Sequence, residues 1–284
     1  MLSVMASEDF QEQPRSSRGE RAAAAFVSHG SPLLALDRGG YARAMRELFS
    51  APRPEAVVVL SAHWQTAGLK VTSSQRPPLL HDFGGFPPEL YALDYPTPGA
   101  PVLAEEIARR LLAAGMPIAL EPSRGLDHGV WIPLRLGRPE ADVPVLQLSL
   151  PHTATPESLL ALGRALAPLR EEGVLLLGSG GLVHNLGTLS WDEAAPPSPW
   201  ALDFDSWVAE RIQKLDIEGL VTYRAAAPHA SSAAPSTEHF APLFFAMGAA
   251  LPGDHVATIF EGFQHQNLSL RSFALRAVPS SPTP

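Results

Sequence analysis

Three histidines follow apolar runs in the same way, and this repeated pattern is the strongest chemical signal in the chain. His29, His63 and His184 each come shortly after a short apolar segment typical of a buried strand. The clearest segment is the run Ala-Val-Val-Val-Leu at 56–60. The carboxyl ends of parallel strands meet at one edge of a sheet, where ligands bind. Imidazole binds zinc, iron and copper and exchanges protons near neutral pH, so the pattern predicts a metal or acid–base site.

Two further histidines stand beside acidic residues. His128 follows Asp127 in a loop; either the aspartate caps the next helix, or the histidine is a second titratable group in the cleft. Glu238 and His239 lie at a predicted helix start. Either the acid only complements the helix dipole, or the histidine completes the site described above. No role is assigned to the remaining surface-type histidines, which are His152, His229, His255 and His265.

The sequence Gly-Ser-Gly-Gly at 178–181 allows a second interpretation, a phosphate cradle. It lacks the Lys-Ser/Thr pair of a P-loop and the glycine spacing of a dinucleotide-binding fingerprint. The glycines therefore favour a close approach of backbone segments next to His184.

The composition limits the classes of protein that are possible. The chain has 284 residues, 45% hydrophobic and 18% charged, with a formal net charge of -8, which argues against nucleic-acid binding. It contains no cysteine, which excludes disulfides, thiolate catalysis, cysteine-bound zinc and iron–sulfur clusters. No apolar run has the length of a membrane span and no signal-peptide core is visible, so we expect a cytoplasmic protein that does not bind membranes.

Strands that alternate with helices predict an α/β fold, a single domain with a mainly parallel central sheet flanked by helices. We expect a disordered tail at 1–21, one folded domain at 22–278 and a loose tail at 279–284.

Four local expectations concern the elements that must position the histidines. The apolar run at 56–60 predicts a strand with His63 at its tip. A helix is expected at 156–170 and a loop at 225–235. The last expected helix begins at Glu238.

The stretch at 73–100 is rich in proline, glycine and aromatic residues. A long loop of this composition in a compact chain is usually functional, so we expect a lid or a substrate wall. Its rings offer a flat slot for a flat substrate and would select the substituent of that substrate. The candidate contact residues are His81, Phe83, Phe86 and Tyr91.

Six sequence blocks, taken in order, resemble the class III, LigB-type, extradiol ring-cleavage dioxygenases, and most of all their 4,5-DOPA dioxygenase extradiol-like branch. The resemblance extends from about Phe26 to Phe273. The blocks are HGSP at 29–32, LSAHW at 60–64, HDFGGFPPELYALDYPTPGAP at 81–101, LDHGVWIPL at 126–134, GSGGLVHNL at 178–186 and TEHFAPLFFAMGA at 237–249.

This resemblance implies one divalent metal, Fe(II) or Zn(II), with O2 as co-substrate and a small aromatic diol as substrate. By motif match the ligands are His29, His63 and His239. The wider family uses two histidines and one glutamate, so Glu238 is an alternative ligand, as is His184. His184 also matches the acid–base histidine of the family, and His128 matches its other catalytic histidine. For ring cleavage we assign His184 as base and His128 as acid, with the two roles interchangeable. The resemblance says nothing of the oligomeric state.

Two other functions use the same histidines. A zinc hydrolase would activate water at neutral pH, and a non-catalytic protein would only bind metal or aromatic ligands. Oxygen uptake with a catechol separates both from a dioxygenase.

Overall fold

The computed structural model describes residues 21–50, 53–192 and 195–278. Within these residues there are ten strands: β1 Ala24–Ser28, β2 Ala56–Thr66, β3 Lys70–Thr72, β4 Ala119–Glu121, β5 Val145–Pro151, β6 Val174–Gly180, β7 Asp254–Phe260, β8 Phe263–Gln264, β9 Leu268–Ser269 and β10 Ser272–Ala277. The α-helices are α1 Gly40–Ser50, α2 Pro88–Tyr91, α3 Pro101–Ala113, α4 His128–Gly137, α5 Pro156–Leu166, α6 Pro199–Gln213, α7 Ile217–Val221, α8 Tyr223–Ala226, α9 Ala230–Ala233 and α10 Pro242–Gly248. Short 3-10 helices span Pro32–Leu36, Ala167–Glu172 and Leu186–Thr188.

Eight of these strands form one sheet, in the order β4-β3-β5-β2-β6-β1-β10-β7. Its centre, from β5 through β2 and β6 to β1, is parallel, whereas β10 runs antiparallel to both β1 and β7, and β3 runs antiparallel to β5. Strands β8 and β9 form a separate hairpin. The predicted α/β fold with a mainly parallel sheet is confirmed, and the carboxyl ends of β1, β2 and β6 lie side by side.

Helices cover both faces of the sheet, which explains the unbroken apolar run in β2. Val58 and Leu60 point into the core under α3, α5, α6 and α10, while Val57 and Val59 point into the core under α1 and α4. A strand buried on both faces requires apolar residues at every position rather than at alternate ones. Among the residues described, no helix is long and apolar enough to cross a membrane.

Strand β2 does not end at His63 as expected but continues to Thr66. Its register against β5 shifts on the way, since Leu60 pairs with Leu148 and Gln65 with Leu150. Four residues of β2, 61–64, thus stand opposite one residue of β5, which is a β-bulge that re-aims side chains. His63 lies in this bulge and not at a free strand tip.

Prolines explain two other differences from the expected elements. The helix expected at 156–170 becomes a 3-10 helix after Leu166, because Pro168 cannot donate the next helical hydrogen bond. The last helix begins at Pro242 and not at Glu238, with proline in its favoured first position. The stretch 225–235, expected as a loop, contains the end of α8 and the whole of α9.

The predicted tails, 1–21 and 279–284, lie outside the described residues except for Arg21. That residue belongs to the folded domain and not to the tail. Its guanidinium donates to the Pro252 carbonyl at 3.0 Å and to the Asp254 carboxylate at 2.7 Å.

Arg170 joins four parts of the domain from a fully buried position. It donates to the carbonyls of Ala22, Ala249 and Leu275 at 2.8–2.9 Å and to Asp254 at 2.6 Å. A buried guanidinium is stable only with such complete pairing. The arrangement ties the chain before β1 to the end of α10 and to β7 and β10.

We expect Asp254→Ala to lower the free energy of unfolding by about 3–5 kcal/mol, since it leaves the Arg170 charge buried without a counterion. Burial raises the pKa of Asp254, but the hydrogen bonds from Arg170 and the Leu251 amide, together with the charges of Arg170 and Arg21, outweigh burial and lower the pKa. The stabilisation is therefore present at neutral pH and is lost as the pH falls through that lowered pKa. Urea unfolding measures it. Glu210→Ala removes an exposed partner of Lys214 at 2.6 Å and should cost less than about 1 kcal/mol; equal losses in both variants contradict the prediction.

Candidate metal centre

The structure brings three histidines together at the carboxyl edge of the sheet. His29 follows β1, His63 lies in the bulge of β2, and His239 lies in the turn before α10. The Nε2 atoms of His29 and His63 are 2.9 Å apart, and those of His63 and His239 are 3.3 Å apart. His29 is 1% exposed and His239 is 7% exposed. Three imidazole nitrogens from distant parts of the sequence thus face one small volume.

The spacing of these nitrogens fits a shared cation. Zinc–nitrogen bonds are about 2.0–2.1 Å long, so neighbouring ligands stand roughly 2.8–3.4 Å apart at coordination angles near 90–109°. Burial, followed by the neighbouring histidines, lowers the pKa of both His29 and His63 well below the usual value. Both rings are therefore neutral at pH 7, which is the form that binds metal.

Hydrogen bonds on the far side of two rings orient their Nε2 atoms inward. His29 Nδ1 lies 3.0 Å from the Ser179 hydroxyl, which itself donates to the Gly129 carbonyl and so accepts from the ring. His239 Nδ1 lies 3.1 Å from the Glu238 carboxylate and donates to it. With the proton on Nδ1, the Nε2 lone pair of each ring is free for a metal.

Two alternative ligands stand outside this group. The Glu238 carboxylate is engaged by His239 and by the Ser236 hydroxyl, and these hydrogen bonds, His239 first, lower its pKa to about 2 despite partial burial. The His184 ring stacks on His239, with centroids 3.5 Å apart and planes within 6°. Among the described residues, neither side chain belongs to a group spaced for a metal. This geometry favours His239 as the third ligand.

The turn that carries His239 is packed directly against β6. A Cβ at Gly178 would lie 2.2 Å from the Pro242 carbonyl oxygen, and one at Gly180 would lie 2.0 Å from the His239 carbonyl oxygen. The amide of Gly181 donates to the same His239 carbonyl at 2.8 Å. The glycines before His184 thus serve a close backbone approach, as the sequence predicts, and the partner segment is the His239 turn.

His128 is the first residue of α4, which covers the same face of the sheet as α1. It therefore approaches the three histidines from the face opposite to α10. Its ring centroid is 4.0 Å from that of His63. Gly129 makes this approach possible, because a Cβ there would lie 3.1 Å from His29 Nδ1. Asp127 precedes α4 without capping it; its buried carboxylate instead accepts from the Ser61 hydroxyl at 2.8 Å.

Asp82 contacts two of the site histidines, which the sequence did not predict. One of its carboxylate oxygens accepts from the backbone amide of His128 at 2.9 Å and from its ring Nδ1 at 3.0 Å. The other oxygen lies 3.8 Å from His63 Nδ1. Asp82, His63 and His128 form a second group spaced for a cation. The sequence signal was an acid next to His81, but nothing in the sequence linked it to a histidine 46 residues away.

Comparison with known proteins identifies the family. The family model described as the catalytic LigB subunit of aromatic ring-opening dioxygenase matches residues 23–273. The chain belongs to the LigB family of aromatic ring-opening dioxygenases. It is therefore an enzyme of the extradiol ring-cleavage class, an oxidoreductase, and the family predicted from the six sequence blocks is confirmed.

Two curated relatives and one solved structure support this membership over most of the chain. A 4,5-DOPA dioxygenase extradiol of Escherichia coli K12 is 38% identical over 89% of this chain and 94% of its own. One of Beta vulgaris is 40% identical over 79% of this chain and 85% of its own. The crystal structure of an uncharacterized protein from Escherichia coli K12 covers 89% of this chain and 99% of its own, with 34% identity and a TM-score of 0.77.

In this LigB-family chain the aromatic loop reaches the site through one ring. Phe83 lies 5.7 Å from the His128 ring, edge to face. Phe86 and Tyr91 pack on Phe83 at 5.5 and 5.3 Å, and His81 Nε2 lies 3.2 Å from the Leu93 carbonyl of the same loop. Phe83 is thus the candidate substrate wall. His81, Phe86 and Tyr91 support it from behind, and their own contact with substrate stays a prediction.

Asp82→Asn should reduce kcat by about 10- to 100-fold and leave the bound metal in place. The expected range is that of a lost partner that orients a site histidine, because asparagine cannot hold the His128 ring and amide as a carboxylate does. Oxygen uptake and metal analysis of the same samples measure both quantities. Asp94→Asn is the matched control, since Asp94 is exposed in the same loop. An unchanged kcat for Asp82→Asn contradicts the orienting role.

Proposed function

We propose that this LigB-family protein is a metal-dependent dioxygenase that opens the ring of a catechol next to its diol, using O2. The observation that carries the proposal is the convergence of the Nε2 atoms of His29, His63 and His239 at 2.9–3.3 Å, with two more histidines beside them. Three neutral nitrogen ligands suit Fe(II) or Zn(II) and leave positions for other ligands. Such a metal, when bound, would supply the positive charge that holds the diol oxygens and O2 side by side.

The protein groups around that position supply proton transfer. A catechol hydroxyl must lose a proton to become a good ligand, and we assign His184 as the base that accepts it. Burial, followed by the neighbouring His239, lowers the pKa of His184 to about 3, so its ring is neutral at pH 7. Cleavage of the oxygen–oxygen bond later requires a proton donor, and we assign His128, oriented by Asp82. Exchanging the roles of base and acid between His184 and His128 leaves the same two residues in the mechanism.

Phe83 and the rings behind it supply a dry wall for the aromatic ring of the substrate. The wall stands next to His128, so a ring that lies against it has the proposed acid at its edge. The two curated relatives named above are described as acting on DOPA, which makes DOPA the first catechol to test.

The test is anaerobic reconstitution with Fe(II), and separately with Zn(II), followed by addition of O2 and a panel of catechols that includes DOPA. We expect stoichiometric oxygen uptake together with absorbance of a yellow ring-opened product. The metal-free protein is the control. Catechol turnover without oxygen uptake, or no turnover with any metal and catechol, contradicts the proposal.

A further inference from the structure

A cavity of about 410 Å³ lies at the carboxyl ends of β2 and β5, one strand along the same sheet edge from the metal centre. Its walls come from Gln65 on β2, Leu150 on β5, Leu159 on α5, Arg224 on α8 and Glu238 in the turn before α10. A volume of this order is typical of a small-molecule pocket, whose usual range is about 300–1,000 Å³. Within the described part of the chain, none of the five site histidines lines it.

The cavity and the metal centre share structural elements. Gln65 lies two residues after His63 on the same strand. Glu238 lines the cavity, and its carboxylate accepts the hydrogen bond from His239 Nδ1 at 3.1 Å. The cavity therefore adjoins the residues that position His63 and His239, at the sheet edge where α/β folds bind ligands.

The lining is apolar except at a few points. Leu150, Leu159 and Phe244 are among its lining residues. Arg224 stands at the rim; one of its nitrogens donates to the Ala234 carbonyl at 3.3 Å, and no carboxylate pairs with it among the described residues. Glu238, the carboxylate in the wall, stands next to the metal centre. An anionic group is thus attracted at the rim and repelled near the histidines.

We propose that this cavity holds the substituent of the diol ring, and that the substituent is mainly apolar and ends in a carboxylate beside Arg224. The inference rests on the proposed function, since it requires the catechol ring to lie at the histidines. It assigns ring and substituent to different faces of the sheet: Phe83 contacts the ring, and the cavity beside α5 and α8 selects the substituent.

The first test fills the cavity and compares three substrates. These are catechol, 4-propylcatechol and 3-(3,4-dihydroxyphenyl)propionate. Ala225 lines the cavity and the adjacent, exposed Ala226 does not, so Ala225→Phe and Ala226→Phe are a matched pair. We expect Ala225→Phe to lower kcat/KM for both substituted catechols, relative to catechol, by about tenfold or more, in the range that lost apolar pocket contacts give. Ala226→Phe should leave these ratios as they are.

The second test concerns the charge. Arg224→Gln should raise KM for the propionate about five- to tenfold relative to 4-propylcatechol, the range for loss of a partly solvated charge-assisted hydrogen bond. Arg164→Gln, an exposed arginine on α5 outside the cavity, is the control and should not change that ratio.

The outcomes separate this inference from the proposed function. Suppose that the wild-type enzyme cleaves catechols, but Ala225→Phe lowers kcat/KM by the same factor for all three substrates or leaves it unchanged for all three. The cavity then does not hold the substituent, and the inference fails while the proposed function stands. If Arg224→Gln changes KM for the neutral and the anionic substrate by the same factor, the substituent does not end in a carboxylate beside Arg224. If the wild-type enzyme cleaves no catechol, both the function and the inference fail.

Discussion

His239→Ala is expected to remove both the bound metal and ring cleavage. The reason is that His239 Nε2 is one of the three nitrogens that converge on the proposed metal, and alanine leaves only two. Turnover should fall by more than the roughly 10–100-fold that the loss of an outer hydrogen-bond partner costs. Metal content by emission spectrometry after gel filtration, together with oxygen uptake, measures the two effects.

Glu238→Gln is the matched comparison, since it changes the adjacent residue and the alternative ligand. Glutamine keeps an oxygen that can accept from His239 Nδ1 but loses the negative charge. We expect it to retain metal, with affinity or activity lowered by about 10- to 100-fold. A variant pair in which Glu238→Gln loses the metal and His239→Ala retains it reverses the assignment of the third ligand.

His184→Ala should retain the metal but lower kcat by about 10²- to 10⁴-fold, the usual contribution of a general acid or base. Its ring stacks flat on His239, and within the described residues it belongs to no group of ligands spaced for a cation. The ring is therefore next to the reacting atoms without holding the metal. Single-turnover oxygen consumption at saturating catechol separates this step from substrate binding.

His255→Ala is the control for this variant, because His255 is exposed on β7 and has no assigned role. An unaltered kcat in His184→Ala excludes His184 from the mechanism. Loss of the metal instead makes His184 a ligand.

The sequence predicted the sheet and the histidine cluster because both follow from local patterns. Apolar runs such as 56–60 specify buried strands, and parallel strands deliver their following residues to one edge. The position of His239 needed the family resemblance, since an acid and a histidine before a helix have an ordinary interpretation as well. Its backbone lies in a turn because Pro242 determines where the helix begins.

What the sequence could not predict depends on contacts between residues far apart in the chain. Asp82 and His128 are 46 residues apart, and Arg170 and Asp254 are 84 residues apart. The bulge that aims His63 depends on the pairing of β2 with β5, which no local pattern records. His152, which had no assigned role, lines the proposed substituent cavity for the same reason: β5 and α5 bring it there.

The turn that carries His239 packs on Gly178 and Gly180 mainly by backbone contact, and the other two proposed ligands stand on or next to strands. The fold therefore positions the three nitrogens by its own packing, so little of the binding energy of a metal would be used to order the chain. A rigid set of three imidazoles accepts several first-row divalent ions, and among such sites affinity follows the Irving–Williams order rather than catalytic need. The ion found in a purified sample will consequently report the metal supply of the cell that made it, and comparisons of activity between preparations require stripping and defined reloading first.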